Sequence, residues 1–176
     1  DTFFNVGTPK FAAQAIRKAA EIEWRPLQFL TNVSVSVGAV LKPAGLDNAQ
    51  GIISAAYLKD LTDPQWKDDA AIKEFDQFLK AYFPEGDRQD AFVLFGYGVA
   101  QTMVHVLKQA GDNLTRENLM KEAANLKNLE IGVLLPGIKI NTSPTDFAPI
   151  SSVQLQRFKG EAWERFGEVM SSDTTN

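Results

Sequence analysis

The spacing of apolar residues changes twice along this chain. In the first third, short apolar runs alternate with a helical pattern. Thr2 to Val6 predicts a strand, and Gly7-Thr8-Pro9 predicts a turn with Thr8 as N-cap and Pro9 at the first helical position. Phe11, Ala15, Ile16, Ala19, Ala20 and Ile22 recur at helical spacing, and the pattern ends near Trp24-Arg25-Pro26. Leu27 to Leu30 predicts a second strand. Residues 31 to 45, "TNVSVSVGAVLKPAG", predict a loop with a short helix, before a third strand at Ile52 to Tyr57. Strands joined by helical crossovers imply a parallel sheet of βαβ units, and ligands of such sheets settle at the carboxyl ends of the strands.

After Asp60 the spacing becomes helical throughout. Three helices are predicted, Pro64 to Phe83, Asp90 to Ala110 and Thr115 to Lys127, with Asp63, Pro84, Gly111 and Thr115 as start and stop signals. Ile72, Phe75, Phe78, Leu79 and Tyr82 form one apolar stripe. Phe92, Val93, Phe95, Val99, Met103, Val106 and Leu107 make the second helix apolar over most of its girth, which predicts a central position. The tail returns to strands at "GIKINTS", "SSVQLQRF" and "EAWERFGEV". Lys159-Gly160 joins the last two as a hairpin, Val153 and Leu155 share one half-buried face, and "SSDTTN" reads as a frayed end.

Composition narrows the class. The 176 residues are 44% hydrophobic and 23% charged, with a net charge of -4, as in an ordinary globular chain. With no Cys, disulfides and thiolate metal sites are excluded. No Lys/Arg run exceeds two residues, so nucleic acid is not an expected partner. No apolar stretch reads as a bilayer span, and no leader precedes Asp1. The start inside a strand-like run, without Met, reads as a fragment.

Candidate chemistry is sparse. The single His, His105, sits mid-helix without a nucleophile motif, so no enzyme is expected. Gly96-Tyr97-Gly98 lacks the third glycine and the preceding strand of a dinucleotide loop. Asp60, Asp63, Asp68 and Asp69 lack calcium-loop spacing and read as acids near a helix start. No metal or other cofactor is expected. Three glycosylation triplets, at Asn32, Asn113 and Asn141, read as chance.

Six blocks in order resemble a known family: "NVGTPKFAAQAIRKAAEI", "LQFLTNVSVSVGAVL", "GIISAAYLKDLTDPQW", "FGYGVAQTMVHVLKQAG", "LTRENLMKEAANL" and "LLPGIKINTSPTDFAPI". Together they look like the carboxyl-terminal half of a type I periplasmic solute-binding protein of ABC importers, in the branched-chain amino acid group. The resemblance implies an α/β fold that contributes to two lobes: residues 1–58 to the second lobe, 59–130 to the first, 131–170 to the second again, and 171–176 as a disordered tail. "AAYLKDLTDP" would then be a crossover between lobes.

The resemblance further implies a receptor outside the cytoplasm, in the periplasm. It would capture a small solute by hinge closure and deliver it to the membrane subunits of an ABC permease. Matching positions give Thr8, Asn32, Val33, Ser34, Tyr57 and Phe92 as solute contacts. The loop "LTNVSVSVG" lacks the acid that pairs with a solute ammonium in many amino-acid-binding members. An unpaired ammonium in a closed cleft is costly, so an aromatic or aliphatic carboxylate is the favoured solute, with a branched-chain amino acid beside it. The other reading is the ligand-sensing domain of a regulator or receptor with the same fold. With half of each lobe missing, the chain alone is expected to self-associate or swap.

Overall fold

The computed structural model describes residues 1–172. Five strands form one mixed sheet: β1 (Thr2–Asn5), β2 (Leu27–Leu30), β3 (Ile53–Ala56), β4 (Ser152–Lys159) and β5 (Ala162–Ser171), in that spatial order. β1, β2 and β3 run parallel, and β4 and β5 add antiparallel. Helix α1 (Pro9–Glu21) links β1 to β2. The link from β2 to β3 winds through a 3-10 turn at Asn32–Ser34, a π turn at Val37–Leu41, the short α2 (Lys42–Ala44) and a 3-10 turn at Leu46–Ala49.

Helix α1 packs on the β2–β3 link through a small buried face: Ala12, Ala13, Ile16 and Ala19. The predicted stripe is corrected here, since Phe11 and Ile22 are exposed. In an alanine-rich helix, hydrophobic spacing fits two neighbouring faces, and the one that lets the backbone approach the β2–β3 link is the one buried. Opposite α1, Phe158 of β4 meets Trp163 of β5 edge to face at 5.4 Å, and the Trp163 indole N–H donates to the Val35 carbonyl at 2.8 Å. Fully burying side chains of this size contributes about 2–3 kcal/mol each.

Polar ties fix the loops at the carboxyl ends of β1 and β2. Buried Asn5 accepts from the Gly7 N–H and donates to the Ala12 carbonyl. Ser34, fully buried, donates from Oγ to the Gly7 carbonyl at 2.7 Å.

Beyond β3 the chain turns through Tyr57–Asp63 into a 3-10 turn at Pro64–Trp66, then α3 (Ala70–Tyr82), α4 (Ala91–Ala110) and α5 (Arg116–Ala123). The predicted single helix from Pro64 to Phe83 is broken because two aspartates cap in succession. Asp63 accepts from the Gln65 N–H, and Asp69 accepts from the N–H groups of Ala71 and Ile72. Within α3, Ile72, Phe75 and Leu79 are buried, while Phe78 and Tyr82 are exposed.

Helix α4 departs furthest from expectation. Only Leu94, Gly98, Val106 and Ala110 are buried, whereas Phe92, Phe95, Val99, Met103, Val104 and Leu107 remain 39–52% exposed. Gly98 is where the helix approaches a neighbouring segment, since a Cβ there would lie 2.9 Å from Val133 Cγ2. By length and composition α4 also meets the test for a membrane-crossing helix, so the reading that no stretch approaches that length is corrected.

The segment "GIKINTS" forms no strand. It contributes only isolated bridges, Leu129 with Ile140 and Ser143 with Asp146. Residues 131–150, expected to rejoin the sheet, pack instead with the helices: Leu134, Leu135, Ile138 and Ile140 share a core with Val106 and Leu126. The chain returns to the sheet only at Ser152. At the end, Ser171 belongs to β5 and the Ser172 N–H donates to the Ser151 carbonyl at 2.7 Å, so the expected fray does not begin at 171. The rest of that expectation, residues 173–176, lies outside the described residues.

One part-buried ion pair sits where the sheet meets the helices. Lys59, 8% exposed, reaches Asp69 at 2.8 Å and lies over the Trp66 ring at 5.1 Å. Burial opposes ionisation of Asp69, but the hydrogen bond and charge of Lys59 and the two helix N–H groups outweigh it and hold the carboxyl below its ordinary value. Stability from this depressed carboxyl is complete above its unfolded pKa of about 3.9 and is lost as pH falls through the lower folded value.

Asp69→Ala leaves Lys59 buried and unpaired and removes the α3 cap, so it is expected to lower stability by about 3 kcal/mol in denaturant unfolding. Adding Lys59→Met should recover part of that loss. Ser34→Ala is expected to cost about 1 kcal/mol in the same measurement through loss of the bond to Gly7.

Candidate functional site

A cavity of about 240 Å³ opens where the carboxyl ends of β2 and β3 meet the start of α4. Its apolar wall includes Val33, Val37, Phe92, Leu94, Phe95 and Trp163. Its polar groups are Asn32, Ser36, Tyr57, Lys59, Asp60 and Gln156. Four of the residues named from sequence therefore meet here: Asn32, Val33, Tyr57 and Phe92. Thr8 and Ser34 do not line it. Thr8 is exposed at the α1 cap position, where its hydroxyl makes no cap bond, and Ser34 is sealed beneath the loop with its hydroxyl committed to Gly7.

The local sequence explains the arrangement. The 3-10 turn at Asn32–Ser34 is pinned by Ser34, which leaves Asn32 and Val33 exposed on its outer side. On the facing side, Asp90 accepts from the Phe92 N–H and starts α4 so that Phe92, 42% exposed, borders the opening. The floor is the segment leaving β3. Its backbone is fastened by Leu135 N–H donating to Tyr57 O and Lys59 N–H donating to Val133 O, both 2.9 Å.

The electrostatics are uneven. Lys59 lines the cavity, but its charge is met by Asp69. Asp60 is half-buried, and its carboxylate accepts from the Thr62 N–H at 2.9 Å and from the Thr62 hydroxyl at 2.8 Å. Burial pushes the Asp60 carboxyl above its ordinary value; the Thr62 hydrogen bonds pull against it, and nearby Asp63 adds to the rise. Burial also raises the Tyr57 phenol.

Sequence reasoning assigned Asp60 to the helix start and passed over Gln156, Lys59 and Trp163. The signal for Lys59 and Asp60 was their place directly after a strand, where such folds bind ligands. A second hollow, about 330 Å³ and almost wholly apolar, continues from Tyr57 and Phe95 along Val99 and Met103 to Phe147 and Ile150.

The remaining candidates take structural roles. Gly96-Tyr97-Gly98 lies inside α4, with Tyr97 packed on Phe75 and Phe78. Asp68 pairs with Lys73 at 2.8 Å, and Asp63 caps a turn. Among the described residues, no group of three or more His, Asp or Glu is placed to hold a metal ion.

Comparison with known proteins gives a consistent picture. The family model described as periplasmic binding protein matches residues 1–162. A branched-chain amino acid ABC transporter protein from Thermus thermophilus, solved with bound valine, superposes with a TM-score of 0.79 at 14% identity, covering 98% of this chain and 46% of that one. A possible leucine/isoleucine/valine-binding protein from Rhodopirellula baltica gives 0.73 at 21% identity, covering 94% and 42%. A leucine-binding protein from Thermotoga maritima gives 0.67 at 15% identity, covering 98% and 45%. A search of curated proteins found no match. The chain thus spans about half the length of its solved structural relatives. It belongs to the periplasmic binding protein family, with the type I α/β fold.

Proposed function

We propose that this chain supplies the carboxyl-terminal half of an extracytoplasmic receptor of an ABC importer, which holds a small carboxylate-bearing solute in its cleft and delivers it to the membrane permease. The observation that carries this reading is the placement of the cavity. It lies at the carboxyl end of the parallel strands, where one core, around Ile16, Leu41 and Phe158, meets a second, around Phe75, Leu94 and Val133, across the Tyr57–Asp63 segment.

In this reading residues 1–58 and the β4–β5 hairpin belong to one lobe, and the three helices with residues 131–150 belong to the other. Segment 57–63 is one crossover between them. Asn32 and Val33 contact solute from the second lobe, Phe92 from the first, and Tyr57 from the floor. Solute that touches both lobes binds the closed arrangement better than the open one and shifts the population toward it. The permease would read the closed surface. Closure moves solute without changing its bonds, so the receptor is not an enzyme and requires no cofactor.

The solute class follows from the lining. Val33, Phe92 and Phe95 suit an aromatic, aliphatic or branched side chain. The missing acid in "LTNVSVSVG" argued against an ammonium, but Asp60 supplies a carboxylate in the cavity. This supports a branched-chain amino acid beside the aromatic and aliphatic acids, and the valine-bound structural neighbour points the same way.

A thermal-shift panel of branched-chain amino acids and of aromatic and aliphatic carboxylates tests the reading on the full-length protein. A solute at about 100 times its Kd should stabilise by about 2.7 kcal/mol, and silence across the panel would contradict the reading. Phe92→Ala should weaken the solute that scores by about tenfold in calorimetry without lowering ligand-free stability, since Phe92 is 42% exposed. Expressed alone, residues 1–176 should self-associate through the exposed α4 face; a monomer by light scattering would contradict this.

A further inference from the structure

Gln156 is a buried polar residue of the sheet that lines the cavity. It sits on β4 opposite Ser54 of β3 and Arg165 of β5, and it is 3% exposed. A carboxamide buried to that degree ordinarily has partners, because leaving it without one costs the full desolvation of the group. Its polar neighbours in the sheet obey the rule. Ser54 Oγ donates to the Leu30 carbonyl at 2.7 Å, and Gln154 Nε2 donates to the Gly167 carbonyl at 2.8 Å. The Gln156 carboxamide makes no hydrogen bond to any described residue, yet it lines the cavity. By contrast, the unpartnered Oε1 atoms of Gln28 and Gln101 are sealed from solvent and line neither hollow.

The other polar groups of the cavity differ in what they leave available to a solute. Lys59 is spent on Asp69, so among the described residues the cavity lining offers no free cation to a second carboxylate. Asp60 offers acceptor oxygens, and Gln156 offers one acceptor and two donors.

We propose that Gln156 is a solute contact which, with Asp60, selects a solute carrying an N–H donor, of ammonium type, at the end that faces β4. The inference rests on the receptor reading above and makes it more specific. Without solute the carboxamide has no hydrogen-bond partner among the described residues; solute supplies one. An apolar isostere at this position should therefore stabilise the empty protein and weaken the loaded one, a pairing that a structural glutamine would not give.

The test uses full-length protein and two probes that share a carbon skeleton, L-valine and 3-methylbutanoate, which differ by the ammonium. Gln156→Met is expected to raise the ligand-free Tm by about 2 °C. It should weaken L-valine about tenfold and leave 3-methylbutanoate within twofold. Gln156→Glu, which keeps the shape and adds an anion, should tighten L-valine relative to 3-methylbutanoate.

A Gln156→Met protein that melts below the parent and binds L-valine equally well would show a structural partner for the carboxamide and overturn the inference. A parent protein that prefers 3-methylbutanoate or an aromatic acid to L-valine, unaffected by Gln156→Met, would overturn the donor-bearing solute and leave the receptor reading standing. Failure of the whole panel to bind would remove both.

Discussion

A buried lysine on the stretch that leads from β3 to α3 sets the constraint on which the rest of this structure depends. Lys59 is 8% exposed, so its charge needs a partner, and Asp69 meets it at 2.8 Å. That single contact fixes several things at once. Asp69 is also the cap of α3, so the pair sets where the helix begins. Trp66 lies between these two residues in sequence and has both Lys59 and Arg165 over its ring at about 5 Å, which joins β5 to the same corner. The backbone of Tyr57 and Lys59 bonds to Leu135 and Val133, so the segment that leaves the sheet is also paired with the segment that returns to it.

The candidate site is a consequence of that corner. Because Tyr57–Asp60 is held flat between two cores, the space above it is bounded on one side by Asn32 and Val33 and on the other by Phe92 and Phe95. The walls are apolar and the polar groups sit on the floor and on β4. This arrangement suits a solute with an apolar body and a polar end. The exposed apolar face of α4 begins at the same place and continues along Val99 and Met103, in keeping with a chain that spans about half the length of its solved relatives.

Much of this was legible in the residues. The three parallel strands, the closing hairpin and the starts of α4 and α5 follow from period, caps and turn residues, because those signals are local. What was not legible depends on distant partners. Asp63 and Asp69 are both good caps, and only packing shows that each starts its own turn. The hydrophobicity of α4 states how much surface could be buried but not what would cover it. "GIKINTS" alternates like a strand yet has no neighbouring strand to pair with, so it stays as bridges. In "SSVQLQRF" the apolar residues Val153 and Leu155 read as the inward face, whereas Gln156 and Phe158 are the buried pair. A glutamine on the inward face carries no local signal of burial, and Asp60 beside a helix start looks like any acid near a helix dipole. The site residues that pattern missed are thus polar residues whose role comes from burial.

The central claim is that one cleft joins the 31–37 loop, the crossover and the start of α4 around a single solute. Hydrogen exchange on the full-length protein, with and without a solute that it binds, tests this most directly, because the three stretches are far apart in sequence and meet only at the cavity. The account predicts that residues 31–37, 57–61 and 91–95 gain protection together on binding. Protection confined to one of them, or falling wholly outside all three, would contradict it.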